Sequence, residues 1–93
     1  MLTLDASKSF LKDVKKMEAQ GKNMELLYEV IEILIKGTEI PLRFKDHSLT
    51  GNWKGYREMH IRPDWLLIYK IENSFLKLAR TGSHSELLSK VKR

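Results

Sequence analysis

Two segments in the first part of the chain have apolar positions at helical spacing. In the first, Phe10, Val14 and Met17 recur every three or four residues, and either Asp5 or Ser7 can cap the predicted helix. The second segment carries a broader stripe, made of Leu26, Leu27, Val30, Ile31, Leu34 and Ile35. Glycines follow both segments and few residues separate them, so we predict a helical hairpin that packs on one face of a sheet.

The remainder of the chain is dominated by the alternation that is typical of strands. In the first strand after the hairpin, Tyr56, Glu58 and His60 share one face, so an acid and an imidazole stand side by side. Met59 and Ile61 take the opposite face. The predicted strands cover residues 2–4, 54–61, 65–72 and 75–81.

The order of these elements predicts an α+β fold, β-α-α-β-β-β-α. Pro63 marks a turn, and residues 65–72 are apolar on both faces, as expected for a central strand. We therefore expect a four-stranded, mainly antiparallel sheet, with the helical hairpin on one face, the other face open and a short C-terminal helix.

The end of the chain raises a conflict that the structure must resolve. Strict alternation places Arg80 towards the core, so a bulge or the end of the strand is needed to turn it to the open face. Ser83 and Glu86 match a capping box, which predicts a last helix from His84 through Leu88. This helix is expected to lead into a basic tail, made of Lys90, Lys92 and Arg93.

Composition limits the classes of protein that fit. The 93 residues suit a single domain, residues 1–93, and the formal charge of +5 favours polyanions as partners. With no cysteine there is neither a disulfide framework nor a thiolate site. The apolar stretch of residues 26–35 is too short and too often interrupted to span a bilayer, so we expect a cytoplasmic protein without a membrane partner.

Three sequence blocks carry a resemblance to a known family. The blocks KDH-x-L-x-G-x-WKGYR, H-x-x-PDW-x-LIYK and RTG-x-H occur in order, and residues 4–88 resemble the YafQ branch of the RelE-like toxins. The resemblance implies a RelE-like fold and a ribosome-dependent endoribonuclease that cuts messenger RNA in the decoding site without a metal or other cofactor. It also implies a cognate antitoxin as partner, and contact with operator DNA only through the antitoxin complex.

The resemblance also assigns roles to individual residues. The catalytic positions carried over are His47, Glu58, His60, Asp64, Arg80 and His84. We expect His84 to be the general acid, Asp64 or His60 the base, His47 an orienting group or a second proton carrier, and Arg80 the phosphate ligand. Residues expected to contact RNA are Lys45, Lys54, Tyr56, Arg57, Arg62 and Trp65, with Trp53 as a further stacking candidate. Two positions depart from the family pattern, Glu58 in place of aspartate and Leu88 in place of an aromatic residue.

Local electrostatics predict opposed effects on two of the histidines. Carboxylates near His60, such as Glu58 and Asp64, should favour its charged form, and the positive end of the last helix should disfavour charge on His84. The amides of the turn at residues 81–84 are candidates to bind the scissile phosphate opposite Arg80. The plainer interpretation of this turn is a helix cap.

Other functions remain open on the sequence alone. One is a gyrase inhibitor on the same scaffold, although such a toxin is expected to lack the histidine blocks. A second is a nonenzymatic nucleic-acid-binding module, and a third is a zinc site formed by His47, His60, Asp64 and His84. For Trp53 and Trp65, packing against the sheet is the simplest role.

Overall fold

The computed structural model describes residues 1–88 as a sheet with two long helices on one face and a short C-terminal helix on the other. Its regular elements are β1 (Thr3–Ala6), α1 (Lys8–Ala19), α2 (Met24–Lys36), β2 (His47–Ser48), β3 (Arg57–Arg62), β4 (Trp65–Glu72), β5 (Phe75–Gly82) and α3 (His84–Leu87). Two short 3-10 turns, Leu42–Phe44 and Gly51–Trp53, flank β2. No helix among residues 1–88 is long and apolar enough to cross a membrane.

Both long helices begin and end where their sequences predict. Ser7, rather than Asp5, caps α1, since its Oγ accepts a hydrogen bond from the amide of Phe10 at 3.0 Å. Asn23 caps α2 through the amide of Glu25 at 3.1 Å. The C-terminal cap of α2 is a left-handed glycine, as the hairpin prediction requires.

The sheet has five strands instead of the four that we expected. Its order is β1-β5-β4-β3-β2, with β1 parallel to β5 and every other pair antiparallel. The extra strand, β2, is only two residues long, so it carries no alternation that sequence reasoning could detect. The predicted strand 54–61 begins later, at Arg57, because a 3-10 turn and a bend occupy the residues before it.

The two faces of the sheet bury different apolar clusters. The face towards α1 and α2 forms the main core, in which Met59, Leu67, Tyr69 and Leu78 are almost fully buried. The opposite face carries a smaller cluster, formed by Leu66, Ile68 and Leu87 and bordered by Leu49, Trp53, Tyr56, Ala79 and Leu88. The second face is therefore only partly covered, and its uncovered part is where a large ligand can approach.

A register shift in β5 resolves the conflict over Arg80. Ile68 pairs with Arg80, but the next residue of β4, Tyr69, pairs with Leu78, so Ala79 is the extra residue of a β-bulge. Because residues paired across strands share a face, the bulge brings Arg80 to the same face as Ile68.

The last helix begins at His84, as predicted. Ser83 Oγ accepts from the amide of Glu86, and the Glu86 carboxylate accepts from the amide of Ser83, which completes the capping box. The predicted basic tail lies outside the described residues.

Candidate active site

Three histidines form a row on the partly covered face of the sheet. The ring of His60, on β3, lies 5.8 Å from that of His47 and 5.5 Å from that of His84, measured between centroids. His47 comes from β2 and His84 from the first turn of α3, so three separate elements deliver the three imidazoles. Residues far apart in the sequence thus meet in one cluster.

Glu58 lies beneath two of these rings. Its Oε1 is 3.1 Å from Nε2 of His47 and 3.8 Å from Nε2 of His60, and the residue is only 3% exposed. Glu58 pairs with His47 across β2 and β3 and shares a face with His60, as the alternation predicted. Because Glu58 is buried, a large ligand cannot contact its carboxylate directly. The carboxylate can still interact electrostatically with both histidines.

Both ring nitrogens of His47 already have partners. The left-handed turn at Lys45 (φ 48°) brings its carbonyl to within 2.8 Å of His47 Nδ1, while Nε2 faces Glu58. For Nδ1 to donate to the carbonyl while Nε2 contacts a carboxylate, a proton must lie between His47 and Glu58. This arrangement leaves His47 less free than the other two histidines to exchange protons with a ligand.

The loop that carries His47 is anchored by Asp46. Its carboxylate accepts two hydrogen bonds from Arg57, at 2.7 and 3.1 Å, and one from the hydroxyl of Tyr69. Burial, followed by the bond to Asp46, raises the pKa of Tyr69 well above its usual range, so the phenol remains a donor. Asp46 therefore anchors the loop that carries His47 to β3 and β4.

Asp64 contacts His84 rather than His60, which corrects our electrostatic expectation. Its Oδ1 accepts from the amide of His84 at 3.0 Å and lies 2.8 Å from Nδ1 of the ring. The amide bond, followed by the bond to the ring, holds the pKa of Asp64 below its usual value. A carboxylate with a lowered pKa is a weak base, and its bond to Nδ1 leaves Nε2 of His84 as the ring's free nitrogen.

Arg80 is fixed by a residue of α1. Its guanidinium makes two hydrogen bonds to Asp13, at 2.7 and 3.0 Å, and these raise its pKa. Asp13 also accepts from the amide of Thr81 at 3.0 Å, on the edge of β5 that β1 does not reach. The structure thus brings five of the six predicted catalytic residues into direct contact with one another, while the bonds of Arg80 run to α1.

The amides expected to bind a phosphate are already used. Those of Thr81, Ser83 and His84 donate to Asp13, Glu86 and Asp64, respectively. The turn before α3 is therefore a set of satisfied caps, and the plainer of the two interpretations describes it.

The residues expected to contact RNA occupy four kinds of environment. Trp65 is 2% exposed in the main core and donates its indole N–H to Thr81, so its ring is not available to stack on a base. Arg57 is held by Asp46. Tyr56 packs edge-on against Trp53, with Nζ of Lys70 at 4.8 Å from its centroid. The exposed remainder consists of Lys45, Lys54 and Arg62.

Sequence reasoning missed three residues that organise this region. Asp46 could have been found, because it lies next to His47 inside the first of the three blocks. Thr81, which links Trp65 to the carbonyl of Leu66, also lies within a block. Asp13 had no such signal, since on α1 it is one charged residue among many.

Part of the cluster has the donors of a metal site. One ligand atom each from His47, Glu58 and His60 lie within 4.8 Å of one another. Two imidazoles and a carboxylate suit a divalent transition metal. This set differs from the zinc site considered on the sequence, since Glu58 takes part and neither Asp64 nor His84 does.

A family model and a curated protein are both similar to this chain over most of its length. The family model described as the YafQ toxin of bacterial type II toxin-antitoxin systems matches residues 2–89. The mRNA interferase toxin YafQ of Escherichia coli K12 is 42% identical over 85 residues, which are 90% of this chain and 92% of that protein.

Solved structures are similar over nearly the whole chain. A crystal structure of the E. coli DinJ-YafQ complex matches with a TM-score of 0.88 and 39% identity, covering 95% of this chain and 99% of that one. A copper-bound mutant toxin from Helicobacter pylori matches with a TM-score of 0.90 and 45% identity, covering 95% and 100%.

Proposed function

The chain belongs to the YafQ family of bacterial type II toxin-antitoxin toxins, and from that premise we propose that it is an mRNA interferase that cuts messages in the ribosomal decoding site. The observation that carries this proposal is a row of three imidazoles with two carboxylates: His47 and His60 share Glu58, and His84 pairs with Asp64. Such pairs supply the base and the acid that metal-free RNA cleavage needs.

In the proposed reaction the 2′-hydroxyl of the RNA is the nucleophile. A base removes its proton, the 2′ oxygen attacks the phosphorus, and the bond from phosphorus to the 5′ oxygen breaks. An acid protonates the leaving 5′ oxygen, so the products carry a 2′,3′-cyclic phosphate and a 5′-hydroxyl.

We assign the acid to His84. Its Nδ1 is engaged by Asp64, so Nε2 is the nitrogen that faces a ligand. The carboxylate 2.8 Å away orients the ring, so that the Nε2–H of its protonated form can be donated to the leaving oxygen. Asp64 is in this scheme a positioning residue for His84, which removes it from the two candidates for the base.

We assign the base to His60. Its side chain is 18% exposed and borders both other histidines, and Glu58 is near enough to stabilise the positive charge that the ring gains with the proton. His47, with both nitrogens engaged, holds Glu58 in place. Arg80 lies on the same face and is the proposed phosphate ligand.

A bound metal ion would compete with this scheme. His47, Glu58 and His60 would be its ligands, and a divalent ion there would supply Lewis acidity. Ligation would engage a ring nitrogen of His60, the residue that we assign to proton transfer, so the two roles exclude each other. We therefore propose that the proton transfers rest on the side chains alone.

We also propose that a cognate antitoxin silences this toxin. The DinJ-YafQ complex supports a partner of this kind, because that toxin is similar over 95% of this chain. The formal charge of +5 suits an acidic or mixed segment that covers the histidine face. Operator DNA would be bound only through the antitoxin.

Mapping the cleavage ends on a translated message tests the proposal. Wild-type protein should leave 5′-hydroxyl ends only when ribosomes are present. His84→Ala should cut roughly 10² to 10⁴ times more slowly, since it removes a proton-transfer group. The matched control is Lys12→Ala, a charge removal on the exposed side of α1. A loss below threefold for His84→Ala would reject the assigned acid, and 5′-phosphate ends would reject the reaction class.

Two alternative functions make different predictions in the same assay. A gyrase inhibitor would cut no message, and a nonenzymatic RNA-binding module would be insensitive to changes at His60 and His84. The close contacts among the histidines and carboxylates argue against both, because neither function needs them.

A further inference from the structure

A pocket lies beside the histidine row, at an edge of the sheet that β2 leaves open. β2 pairs only with Arg57 and Glu58, so the rest of β3 has no strand on that side. The chain between α2 and β2 passes nearby and encloses a space of about 330 Å³. The pocket is lined by Arg43, Phe44, Lys45, His60, Ile61, Arg62 and Pro63.

The chemistry of the lining points to an anion. Three of its seven residues are cations, Arg43, Lys45 and Arg62, and none is acidic. Among residues 1–88, other arginines are bound by carboxylates, whereas the ion pairs of that range include none of these three. They are exposed and available for an outside partner.

The shape of the pocket suits one nucleotide. Its volume is near the lower end of the range for small-ligand sites, roughly 300 to 1,000 Å³. Phe44, Ile61 and Pro63 give it an apolar side, against which a sugar or base can pack. The guanidinium of Arg43 lies 4.5 Å from the centroid of Phe44, and this contact favours a defined position for the cation.

We propose that this pocket is a subsite for the nucleotide next to the cut, with Arg43 as a phosphate ligand that sequence reasoning did not identify. The inference rests on the proposed function, because His60 forms part of the pocket wall and is also the assigned base. A message whose scissile phosphate lies at the histidines must continue past them, and this pocket takes the adjacent phosphodiester group. Lys45 and Arg62 complete its charge.

Single-turnover cleavage on programmed ribosomes tests the subsite. Arg43→Gln should raise the toxin concentration at half-maximal rate roughly three- to tenfold and leave the maximal rate within about twofold, since binding and not chemistry is changed. Arg62→Gln should act in the same direction. Lys12→Gln, which removes the same charge from the exposed side of α1, should have no effect beyond twofold.

Removing a single phosphate charge from the message separates this contact from contacts to ribosomal RNA. Messages with a neutral methylphosphonate on the 5′ or the 3′ side of the cut lack the proposed partner of Arg43. The penalty of Arg43→Gln should disappear on one of these two messages and persist on the other.

Each result decides one of the two proposals. Arg43→Gln equal to Lys12→Gln, a penalty that persists on both modified messages, or a loss confined to the maximal rate would overturn the subsite while the proposed function stands. Wild-type protein that cuts no programmed message would overturn the proposed function itself. A thermal unfolding midpoint of Arg43→Gln equal to that of wild type verifies that the variant is folded.

Discussion

The contact between Asp13 and Arg80 yields the sharpest test of how the fold supports the site. Asp13→Ala removes three hydrogen bonds at once, two to the guanidinium and one to the amide of Thr81. The side chain of Asp13 is 12% exposed and that of Arg80 is 32% exposed, so water replaces the lost contacts only in part. We expect both stability and cleavage to fall.

The magnitude follows from the burial of this pair. Exposed ion pairs contribute about 0.2–1 kcal/mol, and removing one partner of a buried pair costs about 3–5 kcal/mol. A partly buried pair with a third hydrogen bond lies between these limits, at about 1–3 kcal/mol. For a domain of this length each kcal/mol shifts Tm by about 4–8 °C, so Tm should fall by roughly 5 to 20 °C.

A double-mutant cycle measures the interaction itself. Urea denaturation of Asp13→Ala, Arg80→Ala and the double variant should give a coupling free energy of about 1–2 kcal/mol. Glu32→Ala is the matched control, because its pair with Lys36 is exposed on both sides and should contribute less than about 0.5 kcal/mol. Asp13→Asn should retain part of the stability and of the cleavage rate, since its amide oxygen still accepts.

Two outcomes would refute this reasoning. A coupling free energy below about 0.3 kcal/mol is within the usual error of additivity and would mean that the pair does not act as a unit. Wild-type cleavage by Asp13→Ala at a temperature where it is folded would mean that Arg80 needs no anchor on α1.

Three further predictions concern a buried hydrogen bond in the core, the stability of the protein at low pH and the metal donors around Glu58. Thr81→Val should cost about 1–3 kcal/mol in urea denaturation, because the indole N–H of Trp65 loses its acceptor, and an unchanged midpoint would contradict the buried bond. The folded-state pKa of Asp64 lies below the ordinary value of 3.8, so its ionised form contributes stability that is present above pH 3.8 and is lost as pH falls through the folded-state pKa. Asp64→Asn should lack this part of the acid-induced loss of stability. Identical pH profiles of unfolding for wild type and Asp64→Asn would exclude this contribution. Cleavage should persist when transition metals are chelated while Mg²⁺ is kept in excess for the ribosomes, and it should fall when Cu²⁺ saturates the donors around Glu58; a rate that vanishes under that selective chelation would reverse the assignment.

Local patterns predicted much of the fold because they act over a few residues. The cap at Ser7, the capping box at Ser83 and the face shared by Glu58 and His60 depend on neighbours in sequence, and the structure has all of them. The bulge that redirects Arg80 was required by alternation once a site role was assumed, but its position at Ala79 was not predictable. Patterns therefore predict elements and faces well.

What the sequence could not supply is the choice of partner across the fold. Asp64 is close to His60 in sequence, yet the turn at Pro63 directs its carboxylate to His84, twenty residues away. The same limit applies to Asp13, whose partner Arg80 is 67 residues away. Pairing of this kind depends on how α1 and the β5–α3 corner meet, and no local pattern records that.

Satisfied hydrogen-bonding groups surround the candidate site, and the unsatisfied ones lie at its centre. Asp46, Asp13 and Asp64 each accept two or three hydrogen bonds, so the segments that carry the histidines are rigidly anchored. Within residues 1–88, the buried side-chain atoms without a hydrogen-bond partner are Oε2 of Glu58 and Nδ1 of His60, both at the centre of the row. A buried polar atom without a partner costs about 1–3 kcal/mol. Both atoms belong to the proposed base and to the carboxylate beside it, so the proposed reaction centres on the part of the row whose hydrogen bonding is incomplete.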